Sequence, residues 1–375
     1  MPFDFDQVVT ELERNRDQIE KYLDQSRSLG ADYASEFSKI LGLSLSSKSW
    51  RGNAEPLETI GLHGLGVDFN SREEQLDWTL RALRGKTVIG IDGSQINPVG
   101  LNFPLALLQA GYLCVDYDRP ESYRHNRVDV ILPPQEVVVE REGHLSVSRY
   151  NVDLARLSLE FKAAGDLVDE LKGREIYVML DMPLVISYVD AFYKDIKEKY
   201  IQCLSAFLGR LEGKATIIGY VDGSAAKDLT DMLNQTLGLQ SASIPDRAML
   251  QRYLTGFGKR TSTFLCHRKI VEDFGGLEDR FAFFYVRAGS RAIGRVEFLT
   301  SEGINPGSIH HVVCAQCILG EGYPYVLSRA HEAAVIHLSE REQFRQILRG
   351  FFMKNFPEIE VEPRLKDQKK EVPVS

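Results

Sequence analysis

The chain has 375 residues, of which 43% are hydrophobic and 26% are charged, and its formal net charge is −8. This is ordinary for a globular protein with a sizeable core and one large or two ordinary domains. The negative charge counts against a general nucleic-acid binder. The five cysteines, few and odd in number, count against a disulfide framework.

No stretch approaches the roughly 20 apolar residues that a membrane-spanning helix needs. The acidic N-terminus, MPFDFDQVVTELERN, lacks the basic and apolar regions of a signal peptide. The sequence therefore predicts a cytoplasmic protein that makes no contact with a membrane.

Residues 1–85 are predicted to form an N-terminal helical region with a linker. Apolar residues near helical spacing predict helix within 5–45, namely Val8, Leu12, Ile19 and Leu23. Residues 41–56 are rich in Ser, Gly and Pro and are predicted to be the linker. The segment SREEQLDWTLRALRG then predicts a helix that ends at Gly85.

The strand KTVIGIDGSQ (86–95) carries Asp92 near its end. A short, β-branched apolar run before a turn signal is typical of a buried strand. An unpaired buried carboxylate is costly, so Asp92 must be exposed at the sheet edge, paired, or bound to a cation. Taken alone, D-G-S is equally an ordinary turn, in which the aspartate accepts local backbone hydrogen bonds.

A helix over about 152–171 carries a second acid. One face is apolar at helical spacing, and Glu160 falls on or beside that face, where acids are rarely tolerated unpaired. The apolar residues are Leu157, Phe161, Ala164, Val168 and Leu171. Glu160 is either salt-bridged to Arg156, four residues earlier, or a ligand that faces the strand ends.

The strand REIYVMLDMPL (174–184) delivers Asp181 in the same way as the first strand delivers Asp92. Carboxylates that converge from separate elements suit Mg²⁺ and Mn²⁺, which prefer oxygen ligands. Two such ions can activate water and neutralise charge on a phosphate. The three acids therefore favour a metal-dependent hydrolase.

The remaining elements predict an α/β fold with a mixed central sheet flanked by helices. Strand character over 127–148 is interrupted at Pro133 and Pro134. A long helix near 188–211 precedes the strand ATIIGYVDGS, and residues 280–300 predict a β-hairpin that turns at 288–290. The predicted units are 1–85, a core over 86–340, and a C-terminal helix with a polar, disordered tail over 341–375.

Residues 252–295 hold nine Lys or Arg against four acids. The alternatives are a mixed solvated surface and a groove that follows DNA phosphates beside the metal site. For the groove, aromatic side chains such as Tyr253, Phe257, Phe264 and Tyr285 would stack on single-stranded bases unless they belong to the core. The candidate DNA contacts are Arg156, Lys259, Arg260, Arg291 and Arg295.

Two further patterns, one of cysteines and one with a histidine, are candidate metal or proton-transfer sites. CAQC (314–317) is a lone CxxC, and its apolar neighbours favour two buried thiols over a zinc site. His331 is predicted to share an apolar helical stripe with Ala334, Val335 and Leu338. It is either a satisfied core histidine, or a ligand or acid–base group.

The ordered set of motifs resembles the NurA family of DNA-repair nucleases over roughly residues 86–340. The matching features are the D-G-S strand, the R-x-x-x-E helix, the second Asp strand, and G-Y-P followed by A-H-E-A. Residues 245–264 and 283–298 look similar too. The resemblance implies an RNase H-like core, Mn²⁺-dependent DNA cleavage, a homodimer and a HerA-type hexameric translocase as partner.

By that resemblance, Asp92, Glu160, Asp181 and His331 are the metal-binding and catalytic residues, with one or two Mn²⁺ or Mg²⁺ ions. The chain departs from the family pattern at Asp181-Met182-Pro183-Leu184, where D-G-x-L is expected. Pro183 removes a backbone hydrogen-bond donor and stiffens the turn, which changes the expected local geometry after Asp181. The predicted function is a nuclease for DNA ends or single strands in double-strand break end resection and repair.

Two alternatives stay open. VIGIDGS also resembles the first phosphate-binding strand of actin-like ATPases and sugar kinases, for which VDGSAAKD (221–228) is a poor second motif. A catalytically degenerate DNA-end adaptor for a translocase is the other alternative.

Overall fold

The structure is a computed structural model, and it describes residues 4–47, 49–98, 104–119, 123–141, 143–171, 174–239, 244–289 and 293–357. Its strands are β1 (Ala54–Pro56), β2 (Leu62–His63), β3 (Lys86–Ile96), β4 (Ala106–Asp116), β5 (Arg124–Leu132), β6 (Val138–Arg141), β7 (His144–Val147), β8 (Glu175–Leu180), β9 (Thr216–Val221), β10 (Arg260–Thr261), β11 (Phe264–Cys266), β12 (Phe281–Val286) and β13 (Gly294–Leu299).

Its α-helices are α1 (Phe5–Arg14), α2 (Arg16–Ser38), α3 (Arg72–Leu83), α4 (Pro134–Val137), α5 (Arg149–Glu170), α6 (Lys194–Leu211), α7 (Asp228–Leu237), α8 (Asp246–Leu250), α9 (Pro306–Leu319), α10 (Tyr325–Ala334) and α11 (Leu338–Asn355). None of the helices in the described ranges is long and apolar enough to cross a bilayer.

One large mixed sheet organises the fold, in the order β1-β11-β12-β13-β9-β8-β3-β4-β5. β8 runs parallel to both β3 and β9, while β4 lies between β3 and β5 and runs antiparallel to both. β12 and β13 pair antiparallel, as the predicted hairpin requires. The predicted α/β class, with a mixed central sheet flanked by helices, is confirmed.

The first 85 residues contribute more to the sheet than their sequence indicates. α1, α2 and α3 confirm helices in this region, but β1 lies in the predicted linker and pairs with β11. β2 likewise pairs with β10. The division into units at 85 and 340 stays a prediction, and the tail after residue 357 lies outside the described ranges.

Side chains of alternating direction along β3 pack into two cores. Ile89 and Ile91 face the layer that contains α2, α5 and α6, whereas Val88 faces the layer of α3, α9 and α10. Ser148 caps the N-terminus of α5, and its hydroxyl accepts a hydrogen bond from the backbone N–H of Asn151 at 3.2 Å. The apolar face predicted for this helix is buried from Leu157 to Val168.

Two glycines let α10 lie directly on the sheet. A Cβ at Gly90 would overlap backbone atoms of Val326, and one at Gly111 would overlap the backbone at Ala330 and Ala334. Gly111 pairs with Asp92 across β3 and β4. The close approach therefore sets how near α10 comes to Asp92.

We expect Gly111→Ala to destabilise the protein by about 1–3 kcal/mol or more, because overpacking forces the helix away from the sheet. Gly209→Ala in α6 is the matched control, since a Cβ there meets no atom within 4 Å. That substitution is expected to be neutral or to stabilise by up to about 1 kcal/mol through helix propensity. Urea unfolding of both variants measures the difference, and equal free energies of unfolding would contradict the packing argument.

Candidate active site

Asp92 and Asp181 lie side by side where the parallel pairing of β3 with β8 ends. The last pair in the register is Ile91 with Leu180, so Asp92 is the next residue within β3 and Asp181 is the residue directly after β8. Each aspartate follows a buried apolar run, as the sequence predicts. The parallel pairing of the two strands places the two carboxylates next to each other, which the sequence alone does not indicate.

Glu160 approaches the same strand end from α5. It is 5% exposed, and its carboxylate accepts a hydrogen bond from Arg156, one turn earlier. A Cβ at Gly93 would overlap this carboxylate, so the glycine after Asp92 makes room for it. Glu160 therefore fulfils both alternatives: it is salt-bridged to Arg156, and it also faces the cavity that Asp92 and Asp181 line.

His331 hydrogen-bonds to Asp92 from α10, with 2.7 Å between Nδ1 and the aspartate Oδ2. The predicted apolar stripe through His331 is wrong, because α10 ends at Ala334 and the side chain of His331 is 64% exposed. Leu338, predicted to share that stripe, is 86% exposed and begins α11. The histidine therefore belongs to the surface of the site and not to the core.

The three acids line one cavity of about 420 Å³. Three aromatic side chains, those of Tyr188, Phe192 and Tyr200, line the same cavity. The charged residues that line it are four acids and one cation, namely Asp92, Asp153, Glu160, Asp181 and Arg156. A cavity with this excess of negative charge favours a bound cation.

Burial and repulsion from neighbouring carboxylates raise the pKa values of Glu160 and Asp181. The pKa of Glu160 is raised to about 7, chiefly by burial and further by the charges of Asp92 and Asp181, while Arg156 opposes the shift. Burial also raises the pKa of Asp181, and a hydrogen bond from Tyr323 lowers it. Clustered carboxylates with raised pKa values are typical of functional sites.

No three His, Cys, Asp or Glu side chains in the described parts of the chain are grouped tightly enough to hold a metal ion as they stand. Asp92 is instead bonded to His331 and to the backbone N–H of Gly93, at 2.7 and 2.8 Å. Each carboxylate oxygen has two lone pairs, so these bonds leave acceptor capacity at Asp92. The donor chemistry fits a hard cation, and side-chain rearrangement would have to bring the oxygens together.

Three residues near the acids were not predicted as site residues. Tyr323 comes from the G-Y-P motif and hydrogen-bonds to Asp181. Asp153 lines the cavity and accepts a hydrogen bond from Gln95 at 2.6 Å. Asp222 follows β9, and its charge raises the pKa of Asp181. The signal for Asp222 was a third apolar strand that ends in D-G-S, as the first one does.

The predicted DNA-binding residues lie in different environments. Arg156 lines the cavity, and Lys259 is exposed. Arg260 is 6% exposed and bonds to Glu58 at 3.1 Å, and Arg295 is 1% exposed among acids. Arg291 lies outside the described residues.

The basic segment is therefore not one surface groove along its described part. The aromatic side chains Phe264 and Tyr285 are also fully buried core residues, because β11 and β12 are interior strands of the sheet.

Cys314 and Cys317 are buried in α9, as the apolar neighbours predict. Nε2 of His310 donates a hydrogen bond to the carbonyl oxygen of Gly258, at 2.7 Å. Burial lowers the pKa of His310 to about 3. These residues pack the second core layer and form no zinc site in the part of the chain that the structure describes.

A family model for the NurA domain matches residues 86–336. No protein with a curated description matches the chain by sequence. The crystal structure of the NurA nuclease from Sulfolobus solfataricus is 12% identical and covers 95% of this chain and 99% of its own, with a TM-score of 0.54.

Two further solved structures resemble the chain more distantly. A crystal structure of NurA bound to dAMP and manganese is 10% identical and covers 90% of this chain and 97% of its own, with a TM-score of 0.45. The catalytic domain of human endonuclease V is 12% identical and covers 86% and 96%, with a TM-score of 0.34.

Proposed function

This chain belongs to the NurA family, and we propose that it is a divalent-metal-dependent nuclease that cleaves DNA at ends or within single strands. The observation that carries the proposal is the cavity that is lined by carboxylates from β3, from α5 and from the residue directly after β8. A phosphodiester hydrolase needs this chemistry, because charge on the attacked phosphate must be neutralised while water is activated.

Asp92, Glu160 and Asp181 are the residues that would hold one or two Mn²⁺ or Mg²⁺ ions, since both cations prefer carboxylate oxygens. When bound, such an ion supplies Lewis-acid polarisation of the phosphate and lowers the pKa of water. The excess of negative charge in the cavity and the buried position of Glu160 support this assignment.

The chain's own residues have separate roles in the proposal. His331 either completes the metal shell or handles a proton. If its Nδ1–H donates to Asp92, then Nε2 carries the lone pair and accepts a proton from the attacking water. Arg156 pairs with Glu160 in this structure. If Glu160 held a metal ion instead, the guanidinium of Arg156 would be available to donate to a phosphate oxygen. Tyr323 orients Asp181 through its hydroxyl.

The decisive experiment uses end-labelled single-stranded and double-stranded DNA with Mn²⁺, Mg²⁺ or EDTA. Wild-type protein is compared with Asp181→Ala, and with Asp169→Asn as a control, since Asp169 is an exposed acid at the far end of α5. We expect cleavage with metal, none in EDTA, and loss only in Asp181→Ala. DNA binding without cleavage by wild type would favour the adaptor alternative, and tight ATP binding without cleavage would favour the kinase-like one.

Tyr323→Phe is expected to slow cleavage at acidic pH more than at alkaline pH. The lost hydrogen bond had lowered the pKa of Asp181, so that pKa rises and the ionised form appears only at higher pH. The pH profile of kcat/KM measures the shift of the acidic limb. An unchanged limb would show that Tyr323 does not act through Asp181.

The wider biological setting follows from the family resemblance and is part of the proposal. It comprises a cytoplasmic homodimer that works with a HerA-type hexameric ATPase in double-strand break end resection and repair. Light scattering tests the dimer, and co-purification with such an ATPase tests the partnership. A monomer at micromolar concentration would contradict the first of these.

A further inference from the structure

A second cavity, of about 430 Å³, lies on the other side of the segment that follows Asp181. Residues Met182 and Pro183 line the first and second cavity respectively, and Tyr188 lines both. The two cavities are therefore neighbours, separated by residues 182–188. This places the Met182-Pro183 departure from the family pattern at the wall between them.

The second cavity has the opposite electrostatic character to the first. The charged residues that line it are three cations and two acids, namely Lys227, Arg268, Arg295, Asp228 and Glu297. The first cavity has four acids and one cation. Two neighbouring cavities of opposite charge suit a ligand with several anionic groups. One group would bind through metal cations in the first cavity, and the next would bind directly to the cations of the second.

The two acids of the second cavity are already held by the protein. Both oxygens of Asp228 accept hydrogen bonds from Arg268, at 2.6 and 2.7 Å. Glu297 accepts from Arg295 at 2.6 Å and from the backbone N–H of Val185 at 2.9 Å. The charge of both acids is thus engaged by the protein.

Arg295 supplies the observation that points to a ligand. Its side chain is 1% exposed and lines the cavity, and its Nη2 has no hydrogen-bond partner among the described residues. An unpaired buried guanidinium N–H is costly, and such groups usually have a missing partner. Ser187 and Ser224 add hydroxyl groups to the same wall. Arginines with hydroxyl donors form the usual recognition set for a phosphate.

We propose that this second cavity binds a phosphate group of the DNA strand, next to the phosphate that lies at the carboxylates. The inference rests on the proposed function and extends it to the course of the strand. The strand passes over residues 182–188, with Tyr188 beside the base between the two phosphates. One phosphate is then held for cleavage, and its neighbour is held by Arg268 and Arg295.

The test uses single-stranded oligonucleotides that each carry one neutral methylphosphonate linkage. In Mn²⁺, the cleavage rate of every bond is compared with the same bond in unmodified DNA. We expect the bond on one side of the neutral linkage to be cleaved about tenfold more slowly or worse, because an ionic hydrogen bond is lost. The wild-type protein alone suffices for this measurement.

Two variants then assign the effect to the cavity. Arg268→Gln and Lys227→Gln are expected to slow cleavage of unmodified DNA, and the neutral linkage should add little further loss. Lys214→Gln is the matched control, because Lys214 precedes β9, whereas the cavity is lined by Val221 at the other end of that strand. In EDTA, fluorescence anisotropy should show a salt dependence of binding that is smaller by about 0.7 in log–log slope for each variant.

The outcomes separate this inference from the proposed function. If the wild type cleaves DNA but no neutral linkage slows a neighbouring bond, the second phosphate site is wrong and the nuclease proposal stands. Unchanged salt slopes in both variants would overturn the site in the same way. If the wild type cleaves nothing with any metal, the proposed function itself fails, and only an altered salt slope would retain an anion site.

Discussion

Asp92→Asn and Asp181→Asn are each expected to reduce metal-dependent DNA cleavage on the order of 10²–10³-fold or more, as removal of a transition-state-stabilising group does elsewhere. Asparagine keeps the shape of the side chain but removes the negative charge that a hard cation prefers. The two residues sit at the same level on adjacent parallel strands, so they are expected to act on one site. Their combined loss should therefore be less than the product of the single losses.

The measurement is the initial cleavage rate of a labelled single strand across a Mn²⁺ titration. Loss of affinity for the metal appears as a right-shifted titration, and loss of the chemical step as a lower plateau. Asp169→Asn should retain the wild-type curve. Thermal unfolding without metal checks that the variants are folded, and full cleavage by folded Asp92→Asn protein would refute the site.

Glu160→Gln is expected to abolish cleavage and yet to stabilise the metal-free protein at alkaline pH. The pKa of Glu160 is about 7 in the folded protein, against a usual value of 4.5. Between these two values the folded state binds more protons than the unfolded state, so stability falls as pH rises through the window. The loss reaches about 3 kcal/mol at most above pH 7, and glutamine has no such loss.

The measurement is Tm against pH for the two proteins in EDTA. The advantage of Glu160→Gln should be absent near pH 4.5 and should grow until about pH 7. Glu170→Gln, at the exposed end of the same helix, controls for the loss of a salt bridge and should show no such growth. A constant difference in Tm from pH 4.5 to pH 7 would mean that ionisation of Glu160 does not destabilise the folded protein.

Added Mn²⁺ should reverse the ranking. An ion that binds only the folded state stabilises it by about 2.7 kcal/mol at one hundred times its Kd. Wild-type Tm should therefore rise with Mn²⁺, while Glu160→Gln should respond weakly. An equal response in both proteins would remove Glu160 from the metal site even if the other acids stayed.

Local patterns sufficed where the physics is local. The apolar run before Asp92 and the 3.6-residue period around Glu160 each predict burial, and the structure buries β3 and the Glu160 face of α5. The resemblance to the NurA family rests on the same short motifs, and the family match over residues 86–336 confirms it. An acid on an apolar face is visible in sequence because burial of charge is rare.

Long-range pairing decided the rest. β1 lies in a Ser-, Gly- and Pro-rich segment and became a strand only because β11 offers it an edge. His331 is exposed because α10 ends three residues after it, which the continuous apolar spacing does not indicate. Long-range pairing also decides which arginines of the basic segment are buried. Arg295 is buried because its strand, β13, lies in the interior of the sheet.

The sequence by itself determined which side chains are chemically out of place, because the cost of burying a charge depends on its immediate neighbours. Only the tertiary structure decided which of them meet. Parallel pairing of β3 with β8 aligns two aspartates that are far apart in the chain, and glycines at positions 90, 93 and 111 let helices bring Glu160 and His331 to them. Such contacts depend on how whole elements pack, and no window of residues contains that information.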